Sequence, residues 1–258
     1  MIERILKRLA PLAALAMGAT LSGCGNIDMT INGKEGVPLS ELDMTGASPT
    51  ELVVATNATV VVTEGKTLTI AVENDPETAL RFILDEETFG VTSDPDLEIK
   101  DGAAIVRVTM PAPNNIVIAG SGSVETNAVS ANPELVIGGS GSVVMDSIAA
   151  ETLQINIGGS GSVKGSGTAD RLEVNIGGSG NVELNDLKAG DAEVSIGGSG
   201  SVSFASDGEV EANIAGAGDV NVTGGAKCTL SSFGSGTLNC APAEETGAEA
   251  EPAALEES

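Results

Sequence analysis

Between Ile116 and Ile214 six short runs alternate inward apolar residues with a second set two positions apart: Ile116-Val117-Ile118, Leu135-Val136-Ile137, Ile155-Asn156-Ile157, Val174-Asn175-Ile176, Val194-Ser195-Ile196 and Ala212-Asn213-Ile214. β-Branched residues at a period of two predict short strands with one buried face. A glycine block follows each run, beginning with Gly120-Ser121-Gly122-Ser123-Val124 and ending with a seventh copy at Gly234-Ser235-Gly236-Thr237-Leu238. Successive blocks start 19, 20, 19, 20, 18 and 18 residues apart. The residue closing each block opens a second strand, as in Val182-Glu183-Leu184 and Val202-Ser203-Phe204, and a third apolar position follows near Val129, Ile148, Ala169 and Leu187. Three short strands and their corners fill about 19 residues at ~3.3 Å per strand residue. The pattern therefore predicts an all-β chain wound as a three-sided parallel β-helix, a solenoid with coils of about 19 residues. Seven such coils make a rod of roughly 30–35 Å.

The glycines have a mechanical role in this scheme. The corner pairs are Gly120 and Gly122, Gly139 and Gly141, Gly159 and Gly161, Gly178 and Gly180, Gly198 and Gly200, and Gly216 and Gly218. Each corner residue lies about 4.8 Å from its own copy in the next coil. Glycine there permits φ > 0 and lets the backbones turn without Cβ clashes. The intervening serines are placed to form hydroxyl ladders. Just before the strands, Glu134, Gln154, Glu173, Glu193 and Glu211 fall in one outward column. Like charges in register cost tenths of a kcal/mol each. The plain reading is a solvated face that discourages edge-to-edge aggregation; the sharper one is weak divalent-cation binding along the ladder.

The amino terminus supplies an address. Arg4, Lys7 and Arg8 precede an apolar stretch, Leu9 to Leu21, too short to span a bilayer. It ends in Leu21-Ser22-Gly23-Cys24, which looks like a bacterial lipobox. Residues 1–23 are thus expected to be a lipoprotein signal peptide, with Cys24 the acylated first residue of the mature chain; the alternative is a plain secretory signal with an incidental cysteine. Several acyl chains on one residue give stable membrane anchoring. Gly25 and Asn26 follow, without the Asp that typically retains such proteins in the inner membrane, so lipid-anchored outer-membrane placement is expected. Losing three basic residues and Glu3 moves the formal charge from −25 to −27. That surface repels nucleic acid and anionic headgroups.

Residues 24–42 read as a flexible tether and 43–240 as the solenoid domain, with irregular amino-terminal coils over 43–115 and regular repeats over 116–240. Within the irregular part, Leu52–Val54, Thr59–Val62, Thr67–Val72, Leu80–Leu84, Leu97–Ile99 and Ala104–Thr109 read as strands. Cys228 and Cys240, 12 residues apart in the last coil, are expected to form a disulfide that staples the carboxy-terminal edge. The tail 241–258, with six Glu and no basic residue, reads as disordered.

The spacing of these blocks does not support nucleotide-loop or calcium-loop chemistry. None fits a P-loop or a dinucleotide fingerprint. In the calcium-binding nonapeptide roll an Asp stands where this chain has Val163 or Val182, and that period is about 9. The chain has no His, which removes imidazole metal sites and Ser-His-Asp catalysis. It has no Trp or Tyr to form sugar platforms and only scattered basic residues in the coils, Lys164, Arg171, Lys188 and Lys227. No catalytic residue, metal or cofactor is expected.

With Val61-Val62-Thr63-Glu64-Gly65, Lys100-Asp101-Gly102, Val108-Thr109-Met110-Pro111 and the repeated Ile-x-Gly-Ser-Gly-Ser-Val blocks, the chain resembles the auto-transporter adhesin head domain family, or head GIN domain, over roughly 43–239. The resemblance implies a right-handed β-helix in secreted or lipid-anchored envelope proteins and carries over no catalytic residues. The expected function is a non-enzymatic envelope protein whose solenoid surface adheres to a cell surface, a matrix polymer or an envelope partner. The alternatives are a polysaccharide-acting enzyme on the same scaffold and a purely structural envelope protein.

Overall fold

The computed structural model describes residues 17–19, 29–75, 78–94, 96–97 and 104–241. Cys24, most of the expected signal peptide, nearly all of the acidic tail and part of the expected strand Leu97–Ile99 lie outside the described residues.

In chain order the strands are β1 (Met17–Ala19), β2 (Met29–Ile31), β3 (Glu51–Ala55), β4 (Thr59–Glu64), β5 (Thr69–Glu73), β6 (Leu80–Leu84), β7 (Thr88–Ser93), β8 (Ile105–Met110), β9 (Asn115–Ile118) and β10 (Ser123–Thr126). The regular part continues with β11 (Glu134–Ile137), β12 (Ser142–Ile157), β13 (Ser162–Ile176), β14 (Asn181–Gly198), β15 (Ser201–Ser206), β16 (Glu209–Gly216), β17 (Asp219–Thr223), β18 (Lys227–Gly234) and β19 (Thr237–Ala241). One 3-10 turn, Leu39–Glu41, precedes β3.

Two faces of the rod are continuous parallel stacks. The first runs β7, β3, β9, β11, β12, β13, β14, β16, β18. The second runs β8, β4, β10, β12, β13, β14, β15, β17, β19. The eight spacings between nine levels give a length of about 38 Å at ~4.8 Å each. A shorter third face stacks Ile148, Gly167 and Leu187, and beside them Ala150, Ala169, Ala189 and Ser206. Ala169 therefore stands in register with Ala150 and Ala189, and Gly167 takes the position expected for it.

Inward residues repeat at each level to make one core. Leu52, Ile116, Leu135, Ile155, Val174, Val194 and Ala212 form one buried column; Val60, Val124, Val143, Val163, Val182, Val202 and Val220 form another. Each buried Val, Leu or Ile contributes about 1.5–3 kcal/mol relative to exposure.

The corners explain the glycines, for a reason partly different from the expected one. A left-handed φ occurs at Gly120, Gly198, Gly216 and Gly234, but not at Gly139, Gly159 or Gly178. What all the stacked copies share is close approach. The Ser140 amide donates to the Gly120 carbonyl at 2.9 Å, and the same bond recurs from Ser160 to Gly139 and from Ser179 to Gly159. A Cβ on Gly139, Gly159 or Gly178 would land on that carbonyl oxygen. The second glycine faces the core: a Cβ on Gly141 would lie 2.5 Å from the Ile118 side chain.

The amino-terminal part departs from a simple run of irregular coils. β3 and β4 lie between the β7–β8 level and the β9–β10 level, so the chain enters at the second level and returns to build the first. β5 then pairs antiparallel with β8, and β6 antiparallel with β7. These two strands cover the edge that a parallel stack would leave open. Residues 30–42, expected to be part of a flexible tether, pack on this end. Ile31 is buried with Val53, Ile83 and Val117, Gly90 leaves room for it, and Val37 bridges to Phe82. Among the described residues the opposite end has no comparable cover: Leu230 is 42% and Phe233 88% exposed on β18.

Candidate binding face

On the first face the residue just before the inward apolar pair of each strand falls in register with its copies, and the register joins these into one column. It reads Thr88, Glu51, Asn115, Glu134, Gln154, Glu173, Glu193, Glu211 and Thr229. The five residues from Glu134 to Glu211 were expected; Thr88, Glu51, Asn115 and Thr229 were not. Asn115 precedes Ile116-Val117-Ile118 as Glu134 precedes Leu135-Val136-Ile137, and that repeat is the signal that would have found it.

Charge along the column is not uniformly balanced. Arg171 Nε donates to Glu173 Oε1 at 2.7 Å and its Nη2 to Glu193 Oε2 at 3.2 Å. Chiefly through the bond to Glu173, the Arg171 guanidinium is held above its ordinary pKa. Both partners are largely exposed, so the clamp is worth only about 0.2–1 kcal/mol. Glu134 differs. It is half-buried, and desolvation pushes its carboxyl above the ordinary Glu value.

Two residues further along each strand a second outward column reads Val136, Asn156, Asn175, Ser195 and Asn213. Asn175 Nδ2 donates to Asn156 Oδ1 at 3.1 Å, and Asn156 Nδ2 to Glu134 Oε1 at 3.2 Å. Asn213 Nδ2 donates to Glu211 Oε1 at 3.3 Å. Beyond the amides, Gly138, Gly158, Gly177, Gly197 and Ala215 leave an open groove of 570 Å³ across five levels. An amide rail thus borders a floor of small residues, with its repeat set by the coil spacing. This arrangement can hydrogen-bond and pack against an extended chain laid along the rod.

The other expected site residues are placed as follows. Cys228 and Cys240 are bonded to each other with Cα atoms 6.7 Å apart, tying β18 to β19 at the last level. The corner glycines line one edge of the rod. Of the serine positions, Ser142 Oγ donates to Ser123 Oγ at 2.9 Å, and Ser201 Oγ donates to Asn181 Oδ1. Among the described residues no three carboxylates or thiols converge to hold a metal ion.

Residues 48–226 match the family described as "Putative auto-transporter adhesin, head GIN domain". The chain belongs to this family. The head GIN domain so matched contains the column from Glu51 to Glu211 and the groove, while β18 and β19 lie beyond it. Among solved structures, one described as a putative adhesin from Bacteroides fragilis NCTC 9343 is similar at 20% identity and a TM-score of 0.65, covering 76% of this chain and 92% of that one. A "putative lipid binding protein" from Parabacteroides distasonis ATCC 8503 is 21% identical with a TM-score of 0.59, covering 75% and 93%. A putative adhesin from Parabacteroides merdae ATCC 43184 is 16% identical, also at 0.59, covering 75% and 92%. At these identities the likeness shows a shared fold. No curated protein matches the chain. Membership in the head GIN domain family implies a cell-surface or envelope protein, and no helix among the described residues is long and apolar enough to cross a membrane.

Proposed function

We propose that this head GIN domain is a non-enzymatic adhesion module, anchored to the outer membrane through acylated Cys24, that binds an extended polymer along its first face. The observation that carries the reading is the ladder itself. Asn156, Asn175, Ser195 and Asn213 repeat one hydrogen-bonding position at coil spacing beside a continuous groove. A ligand with its own short repeat meets the same chemistry at every level, so weak contacts add along its length. The strongly acidic surface favours a neutral or cationic polymer over an anionic one.

A glycan-acting enzyme on the same scaffold would draw on Glu134, whose carboxyl burial raises, and on Glu51 two levels away. The two readings separate on a panel of neutral and cationic polysaccharides incubated with the purified protein. Retention of polymer without release of reducing ends or unsaturated sugars supports the binding module. Release of either, lost in Glu134→Gln, sinks it. For the address, the expected outcome is metabolic labelling of the chain with a fatty acid that Cys24→Ser abolishes; labelling that survives the substitution overturns the anchor.

A further inference from the structure

The first-face column supplies its own cation at one end and none at the other. Arg171 lies between Glu173 and Glu193. Among the described residues no Lys or Arg forms an ion pair with Glu51 or Glu134. Between those two carboxylates, in register on adjacent strands, stands Asn115. It is only 8% exposed, and its side-chain oxygen has no hydrogen-bond partner. A native fold rarely leaves a buried acceptor unmatched, and each such group calls for an explanation. Glu51, Asn115 and Glu134 all line one cleft of 470 Å³, bordered by Asn132, Thr152 and Gln154.

We propose that Glu51, Asn115 and Glu134 form a calcium-binding site on this cleft. The three residues sit on successive levels about 4.8 Å apart, so a cation over Asn115 is reached by a carboxylate from either side. The carboxylates are already oriented. Thr88 Oγ1 donates to Glu51 Oε2 at 2.8 Å, and Asn156 Nδ2 donates to Glu134 Oε1 at 3.2 Å. Both bonds leave the second carboxylate oxygen for a ligand. The donor set is oxygen only, which selects a hard cation over zinc or copper. Calcium accepts irregular sets of six to eight oxygens and completes its shell with water, whereas magnesium demands a tighter octahedron.

Two carboxylates and one amide oxygen set a modest affinity, with Kd about 10⁻⁴–10⁻³ M, the range of extracellular calcium modules. The test is equilibrium dialysis of the full chain against radioactive calcium chloride at physiological salt. The expected result is one saturable equivalent, weakened about tenfold or more by Glu134→Gln and tightened by Asn115→Asp, which adds a third carboxylate. Glu173→Gln, at the level already served by Arg171, leaves it unchanged. Far-UV circular dichroism confirms that each variant is folded. Two results overturn the proposal: no saturable binding up to about 10 mM calcium, or uptake that all four proteins share equally. The second would mean diffuse condensation on an acidic surface. Because Asn115→Asp must change affinity in the opposite direction to Glu134→Gln, general loss of fold cannot imitate the expected pattern.

Discussion

The adjacent glycines Gly158 and Gly159 differ in what a methyl group would meet, and the coil geometry predicts opposite signs for the same substitution. Neither takes a left-handed φ, so torsional strain does not separate them. A Cβ on Gly158 would lie 3.9 Å from the Ile137 carbonyl oxygen, ordinary contact at an exposed position. Gly158→Ala then acts mainly by narrowing the unfolded ensemble, a gain of about 0.4–1 kcal/mol. A Cβ on Gly159 would land on the Gly139 carbonyl oxygen, with the carbonyl carbon at 3.1 Å and the Gly139 Cα at 3.3 Å. All three atoms are backbone, and the oxygen already accepts the Ser160 amide at 2.9 Å. Forcing the two levels apart costs about 1–3 kcal/mol as overpacking. A weakened corner hydrogen bond adds about 1 kcal/mol. The two variants should therefore differ by at least about 2 kcal/mol, or about 4–8 °C in Tm for a domain of this size. With no Trp or Tyr in the chain, far-UV circular dichroism under urea and heat is the suitable readout. If the two proteins melt within a degree of each other, or Gly158→Ala is the weaker, close stacking is not why the glycines recur.

Three further outcomes follow from the same coordinates. Replacing Cys228 and Cys240 by Ser removes a closure of 12 residues worth about 3 kcal/mol in the chain-entropy account. Because β18 and β19 form the last level, the loss should appear as faster hydrogen exchange in Lys227–Ala241 with the inner levels unchanged. Burial makes folded Glu134 hold its proton more tightly than the unfolded chain does, so its contribution weakens as pH rises from the ordinary value of 4.5 through the folded pKa. In calcium-free buffer Glu134→Gln should raise stability at neutral pH, and the gain should vanish well below pH 4.5; an equal gain at both would point to packing instead. Arg171→Gln unclamps Glu173 and Glu193 at a cost of about 0.2–1 kcal/mol, and the difference from the parent should shrink in molar salt.

The regular coils were legible because each strand carries its own buried face. Ile155 and Ile157, or Val174 and Ile176, declare their orientation without reference to neighbours, and the glycine blocks fix the period. The outward column was legible for the same reason from Glu134 to Glu211. Strand order is a different kind of information. Leu52 and Val54 alternate as Ile116 and Ile118 do, and nothing local says that β7 and β8 fold back beneath β3 and β4. Antiparallel β5 was expected only as a strand, because alternation is blind to direction. β7 escaped notice because Gly90 interrupts it, and that glycine serves a contact with Ile31, 59 residues earlier in the chain. The docking of residues 30–42 has no periodic signature at all. The calcium cleft was half visible: the carboxylate column pointed to cations, but only the register set Asn115 between Glu51 and Glu134.

The claim on which the functional account rests is that the amide ladder, and not the acidic surface at large, holds the ligand. Its most direct test is attachment of cells producing the full chain to a polysaccharide-coated surface, compared with cells producing the double variant Asn156→Ala, Asn175→Ala. Both side chains point outward, so the coil core is untouched. The account predicts equal surface levels of the two proteins and loss of most attachment in the variant. Equal attachment by the two would contradict it.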